Sequence, residues 1–162
     1  MQYIKGMQFY QNDKKTAITL GKFDGLHRGH ETLIERVIEH QKNDGVDSVV
    51  FAFDMAPLYE KIKKKKESLI TNEERAGRLF GRVDYLVECP FVEAVSKIEA
   101  ETFIKEILVK QFHAKYIVVG TDFHFGYQKK GDYHMLQQYS GEYGYEVEVI
   151  EKKCYEDREI SS

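Results

Sequence analysis

Residues 16–30 constrain this chain more than any other stretch. An apolar, β-branched run over residues 16–20 leads directly into Gly21-Lys22-Phe23-Asp24-Gly25-Leu26-His27-Arg28-Gly29-His30. A helical pattern starts at about His27 and runs to about Lys42, with Leu33, Ile34, Val37 and Ile38 as its apolar stripe. The stretch reads as strand, glycine-bearing turn, helix. In an α/β fold that arrangement builds a phosphate site, because backbone N–H groups at a helix start point outward with the positive end of the helix dipole behind them. Gly25 and Gly29 allow backbone to approach a ligand where a Cβ would collide. His27 and His30 are three apart and share one face of the first helical turn. Two imidazoles beside a row of N–H donors suit negative charge that grows during a reaction.

Two other readings attach to the same residues. The turn is merely structural, or the histidines are half of a metal site. Zinc usually takes three or four protein ligands, and no further His, Cys or acidic cluster stands at metal-ligand spacing, so the metal assignment stays open. The strand before and the helix after are the context a phosphate-binding turn requires.

The rest of the chain extends the same pattern. Residues 1–15 read as a short edge strand around residues 8–10 followed by a polar turn at Asn12-Asp13. Asn43-Asp44-Gly45 stops the first helix, and residues 48–53 are nearly continuously apolar, as a strand buried on both faces is. Thr71 and Glu74 form a capping-box pattern that opens a helix to about Gly81, and residues 84–87 read as a short strand ending near Cys89-Pro90. A helix follows within residues 96–112, beginning near Glu99, with Phe103, Ile104, Ile107 and Leu108 inward. Strands at 115–119 and 146–150 flank a helix at 132–141. Strands alternating with helices predict a Rossmann-like, doubly wound parallel sheet of about five strands, in one domain over residues 1–162.

Composition narrows the function classes. Lys plus Arg 24 against Asp plus Glu 27 gives a net charge of −3, which supplies no bulk electrostatic case for nucleic acid. No apolar run reaches membrane-spanning length, and the first residues lack signal-peptide form. Cys89 and Cys154 make no disulfide framework, which suits a reducing compartment and predicts a cytoplasmic protein. The cationic run Lys63-Lys64-Lys65-Lys66 reads as a solvated face. The segment 120–131 follows a strand's carboxyl end, where ligands bind in open α/β sheets. It carries Asp122, Phe123, His124, Phe125 and Tyr127, an aromatic loop that a core sheet does not need and that predicts a flavin or nucleotide contact.

The first stretch resembles the His-x-Gly-His nucleotidyltransferase superfamily. Its longer form, Gly-x-Phe-Asp-Gly-x-His-x-Gly-His, is similar to the FAD synthetase (FMN adenylyltransferase) module of bacterial bifunctional riboflavin kinase/FAD synthetases. Val118-Val119-Gly120-Thr121-Asp122-Phe123-His124-Phe125-Gly126, with Lys129 and Gly131-Asp132 after it, resembles that family's second motif. The closing Ile160-Ser161-Ser162 resembles the start of its third. The resemblance covers essentially the whole chain.

What the resemblance implies is transfer of AMP from ATP to FMN, giving FAD and pyrophosphate, with Mg²⁺ on the phosphates. His27 and His30 are the implied donors to the α- and β-phosphate oxygens. Gly21, Phe23, Asp24, Gly25 and Gly29 are assigned to ATP, with Asp24 bracing the turn or capping the helix rather than reacting. Ser161 and Ser162 are carried over as phosphate contacts, and Phe53, Asp122 and Phe125 as flavin-pocket residues. The chain departs from the family at Met55 and Ala56, within a loop usually reading Phe-Asp/Glu-Pro-His-Pro, and at His124 and Lys129, where Arg is usual. It also ends before the Thr and Arg of the third motif, and the riboflavin kinase module that usually follows is absent. The expectation is a fragment of a longer protein whose partner module is a riboflavin kinase, and whose ATP binding tightens when the continuation is present. Adenylyl or cytidylyl transfer to another phosphate acceptor, and a non-catalytic flavin- or nucleotide-binding module, are the rival readings.

Overall fold

The computed structural model describes residues 1–22, 28–55, 57 and 81–151, with the backbone alone at 28–30. The helix expected from Thr71, the lysine run at 63–66 and the tail beyond Glu151 lie outside the described residues. Six strands form one sheet: β1 (Gln2–Lys5), β2 (Thr16–Gly21), β3 (Asp47–Asp54), β4 (Tyr85–Pro90), β5 (Ala114–Gly120) and β6 (Glu146–Ile150). Their order is β1-β4-β3-β2-β5-β6, and every neighbouring pair is parallel. The expected strands near 16, 48, 84, 115 and 146 are all there, and β1 makes the sixth.

The first fifteen residues are arranged differently from the expectation. The strand is β1, paired Gln2↔Tyr85 through Lys5↔Glu88, and residues Met7–Phe9 form a 3-10 turn. Tyr10, within the stretch expected as a strand, is buried, and its ring stacks on Phe112 at a centroid distance of 4.2 Å. Its hydroxyl accepts from Asn12 Nδ2 at 3.2 Å. An apolar residue in a short window signals burial and not extension, and here burial came from a turn.

Side-chain alternation along the strands divides the core into two layers. Ile18, Leu20, Val49, Phe51, Phe53, Val87, Cys89, Ile117 and Val119 face one side. Ala17, Val50, Ala52, Leu86 and Val118 face the other, where α1 (Arg28–Asp44) lays Leu33, Ile34 and Val37 on them. Small strand residues on this second face let α1 approach closely. Gly45, at φ +71°, ends α1 and donates its N–H to the Gln41 carbonyl at 2.9 Å. Arg82, just before β4, donates to both carboxylate oxygens of Glu31 at 2.9 and 2.7 Å and so ties the first turn of α1 to the sheet. The fork on Glu31 also raises the Arg82 guanidinium above its ordinary range.

The first face is covered by α2 (Glu93–Ser96), α3 (Ala100–Thr102) and the wider-wound π-helical stretch Phe103–Gln111 into which α3 continues. Phe103, Ile104, Ile107 and Leu108 are buried there, as the sequence periodicity predicts. The end of this helix is fastened to the start of β2, where Thr16 Oγ1 donates to the Phe112 carbonyl at 2.8 Å and Thr16 N–H donates to the His113 carbonyl at 3.1 Å. Last comes α4 (Tyr133–Tyr143), capped by Asp132, whose side chain accepts from Met135 N–H at 3.2 Å. With helices on both faces, the sheet is doubly wound.

Burial makes alkaline pH the weak side of this fold. Desolvation pushes the Cys89 thiol from 9.0 up to about 12, with the Asp54 carboxylate adding to it. It pushes the Tyr10 hydroxyl from 10.0 to about 12 against the opposing Asn12 bond, and the Tyr145 hydroxyl above the usual phenol range. A raised folded-state pKa gives stability that is complete below the unfolded value and lost as pH climbs to the folded one. Denaturant midpoints are therefore expected to fall as pH rises from 9.0 towards about 12, the window the Cys89 shift sets. A midpoint that is flat over that window would contradict the burial of these groups.

Candidate active site

The strand order sets where a ligand can enter. The order in which strands are added to the sheet reverses at β2: its successors β3 and β4 lie on one side, β5 and β6 on the other. In open parallel sheets the crevice outside the carboxyl ends at such a point is the ligand site. A cleft of about 420 Å³ opens here, lined at the ends of β2, β3 and β5 by Leu20, Gly21 and Lys22, by Phe53 and Met55, and by Gly120 and Asp122.

Its interior is aromatic. Phe53 is 8% exposed and faces Phe91, Phe103 and Phe123 at centroid distances of 6.2, 6.1 and 6.4 Å. Phe123 stacks on Phe125 at 5.6 Å with planes 16° apart. The polar side chains stand at the margin: Lys22, Asp122, His124 and Lys129 all line the cleft and are exposed. His124 Nδ1 is 3.0 Å from the Asp122 carbonyl oxygen. A flat, mostly apolar group matches the interior, and an anionic group matches the lysines at the mouth.

The loop 120–131 is held firmly. Phe125 and Gly131 exchange backbone bonds in both directions, at 3.0 Å and 2.8 Å. Tyr127 N–H donates to the Ile98 carbonyl at 2.8 Å, which fastens the loop tip to the α2–α3 connection. Gly126 has φ +80°, and a Cβ there would lie 2.6 Å from Ala100 Cα. Only glycine permits both the left-handed backbone and this approach.

The residues expected at the site fall into three groups. Gly21, Phe53, Asp122 and Phe125 come together around the one cleft, although they lie up to a hundred positions apart. Gly29 and His30 lie in the first described turn of α1, which is described from Arg28. Phe23, Asp24, Gly25, His27, Ser161 and Ser162 lie outside the described residues, as does Ala56. Of the two family departures in the loop, Met55 lines the cleft, as do His124 and Lys129. Tyr127, expected with the aromatic loop residues, is 37% exposed and contributes its backbone to the Ile98 contact.

Three wall residues were not anticipated: Phe91, Val95 and Ile98. They follow β4: Val95 lies in α2, Phe91 stands just before that short helix and Ile98 just after it. Placing the helix start at Glu99 passed over them, since a helix of four residues shows no full apolar stripe. Among the described residues no three His, Cys, Asp or Glu side chains converge to hold a metal. No helix among them is long and apolar enough to cross a membrane.

Comparison with known proteins gives the same picture. The bifunctional riboflavin kinase/FMN adenylyltransferase of Buchnera aphidicola subsp. Schizaphis graminum is 29% identical over all of this chain and 53% of its own length. The Escherichia coli K12 protein of the same name is 31% identical over 90% of this chain and 47% of its own length. The chain thus spans about half the length of these relatives. A solved structure titled macrolide-efflux protein from Streptococcus pneumoniae superimposes with a TM-score of 0.75 at 25% identity, over 93% of this chain and 50% of that one. The sequence model of the FAD synthetase family matches residues 9–162. Strand β2 and helix α1 at the switch point, an aromatic cleft beside them and a family match over nearly every residue lead to one conclusion: the chain belongs to the FAD synthetase family.

Proposed function

We propose that this chain transfers AMP from ATP to FMN, releasing pyrophosphate and forming FAD. The observation that carries the reading is the cleft between the carboxyl ends of β2 and β5, apolar and aromatic inside and cationic at its mouth. The names of the relatives support it, since they are called FMN adenylyltransferases. The flavin ring would lie among Phe53, Phe123 and Phe125, with its phosphate towards the mouth. ATP would bind along the stretch from Gly21 to His30, at the start of α1, where Mg²⁺ would neutralise charge on its phosphates.

The chemistry asks little of a base. A phosphomonoester has a second pKa of about 6, so the FMN phosphate is largely ionised at neutral pH. One of its oxygens attacks the α-phosphorus in line, a P–O bond forms, and the bond to the β-phosphate oxygen breaks with its electrons leaving on pyrophosphate. The protein's part is positioning and stabilisation of charge. His27 and His30 donate to the α- and β-phosphate oxygens. The backbone N–H groups at the start of α1 and the helix dipole add to the same field. Ser161 and Ser162 contact the phosphates, and Asp122 contacts the flavin. A riboflavin kinase module as the partner of this chain fits the relatives' bifunctional names.

The test is direct. Mixing the protein with FMN, ATP and Mg²⁺ is expected to lower flavin fluorescence with time, because adenine stacks on the ring in FAD, and chromatography is expected to identify the product as FAD. CTP in place of ATP is expected to support little turnover. Binding of ATP without binding of FMN or formation of FAD would show that the acceptor is another phosphate compound.

A further inference from the structure

We infer that Lys129 reads the phosphate of the flavin substrate and thereby makes the cleft prefer FMN to uncharged riboflavin. This rests on the flavin reading above and goes beyond it by assigning the selectivity to one side chain.

Three observations converge on Lys129. It lines the cleft on the same loop as Phe123 and Phe125, so a ring against those aromatics brings its ribityl phosphate out towards the same mouth. Its backbone is left-handed, at φ +56°, and so is that of Gln128 before it, also at φ +56°. Two successive non-glycine residues in this region are costly, and such strain persists only where surrounding structure enforces it. Here the enforcing contacts are identified: the paired Phe125 and Gly131, the Tyr127–Ile98 bond and the close approach of Gly126 to Ala100. A loop tip that would otherwise wander therefore presents its lysine from a fixed Cα.

The backbone of the tip is already committed. Lys129 N–H donates to the Gly126 carbonyl at 3.1 Å, Lys130 N–H to the Tyr127 carbonyl at 3.3 Å and Gly131 N–H to the Phe125 carbonyl at 2.8 Å. What the tip can offer an anion is thus the ammonium of Lys129, which is exposed and has no acidic partner among the described residues. Lys14 is paired with Asp47, Lys97 with Glu93, Lys110 with Glu106 and Lys115 with Asp44, and Lys22, the second lysine lining the cleft, belongs to the stretch assigned above to ATP. An ammonium is a compact point charge with three donors, suited to a phosphate dianion that still has to present an oxygen for attack.

The experiment compares FMN, riboflavin and ATP titrated into the unsubstituted chain and into Lys129→Met, Lys129→Arg and Lys129→Gly. The Met variant keeps the aliphatic stem and removes the charge. It is expected to bind FMN about tenfold more weakly while riboflavin and ATP affinities stay within about twofold, and Arg is expected to restore most of the loss. Gly relieves the left-handed strain, so Lys129→Gly is expected to melt about 2 °C or more higher and still lose the preference for FMN. That combination separates a ligand role from a structural one. Equal weakening of FMN and riboflavin, a loss confined to ATP, or no change in any affinity would overturn the inference while leaving the flavin reading standing. If the unsubstituted chain binds ATP but neither flavin, the flavin reading itself fails and takes this inference with it.

Discussion

Replacing His30 by alanine is expected to leave the protein folded and to remove nearly all FAD formation. His30 lies two residues after the start of α1, where the dipole and the free N–H groups are strongest. Removing one donor aimed at developing charge typically costs about a hundredfold or more in rate, roughly 2.7 kcal/mol of barrier. Leu33, Ile34 and Val37 hold α1 on the sheet and Glu31 is forked by Arg82, so the helix keeps its seat. The melting temperature should therefore stay within a degree or two, on the scale of surface substitutions. The fall should appear in kcat, with FMN affinity little changed, because the interaction is made most strongly in the transition state. His27→Ala is expected to behave alike. A variant that turns over at the unsubstituted rate would remove these histidines from the reaction.

Gly126→Ala is expected to damage stability and flavin binding together. The added Cβ would sit 2.6 Å from Ala100 Cα and 2.7 Å from its backbone nitrogen, and the residue would have to hold φ +80°. Left-handed backbone alone costs about 1–2 kcal/mol for an L-residue, and overpacking adds about 1–3. A loss of roughly 2–5 kcal/mol follows, which for a domain of this size lowers the melting temperature by about 4–20 °C. The loop escapes part of that cost by lifting from Ala100, and lifting displaces Phe123 and Phe125 from the cleft wall. Flavin affinity should then fall more than tenfold. Ala100→Gly in the same chain is expected to recover little, since two of the three near contacts are with backbone. Unchanged melting and binding would show that the loop is not seated on α3.

The two predictions draw on different sources. The first was legible in the sequence. A β-branched run, a glycine-bearing turn and an amphipathic stripe are local signals, and the physics that makes strand and helix acts over a few residues. So β2, α1, β3, β5 and β6 are found within a residue or two of where periodicity puts them, and the stripes at Leu33, Ile34 and Val37 and at Phe103, Ile104, Ile107 and Leu108 are buried as read. The place of the aromatic loop at the cleft was legible too, because the segment follows the carboxyl end of a strand.

Pairing and approach were not legible. Periodicity says that a strand is half or wholly buried and is silent on its neighbour, so β1 beside β4 and the misread of residues 8–10 were decided only when distant segments met. The same holds for the wall made by Phe91, Val95 and Ile98, where a single helical turn is too short to announce itself against the longer helix that follows. Gly126 reads in the sequence as one more loop glycine. Its necessity comes from Ala100, twenty-six positions earlier, whose backbone stands where a Cβ would have to go. The sequence by itself determined the elements and the chemistry carried at their ends, because those follow from residues adjacent in the chain. Only the tertiary structure decided which ends share a cleft and how firmly its wall is held, because both depend on contacts between residues that the chain keeps far apart.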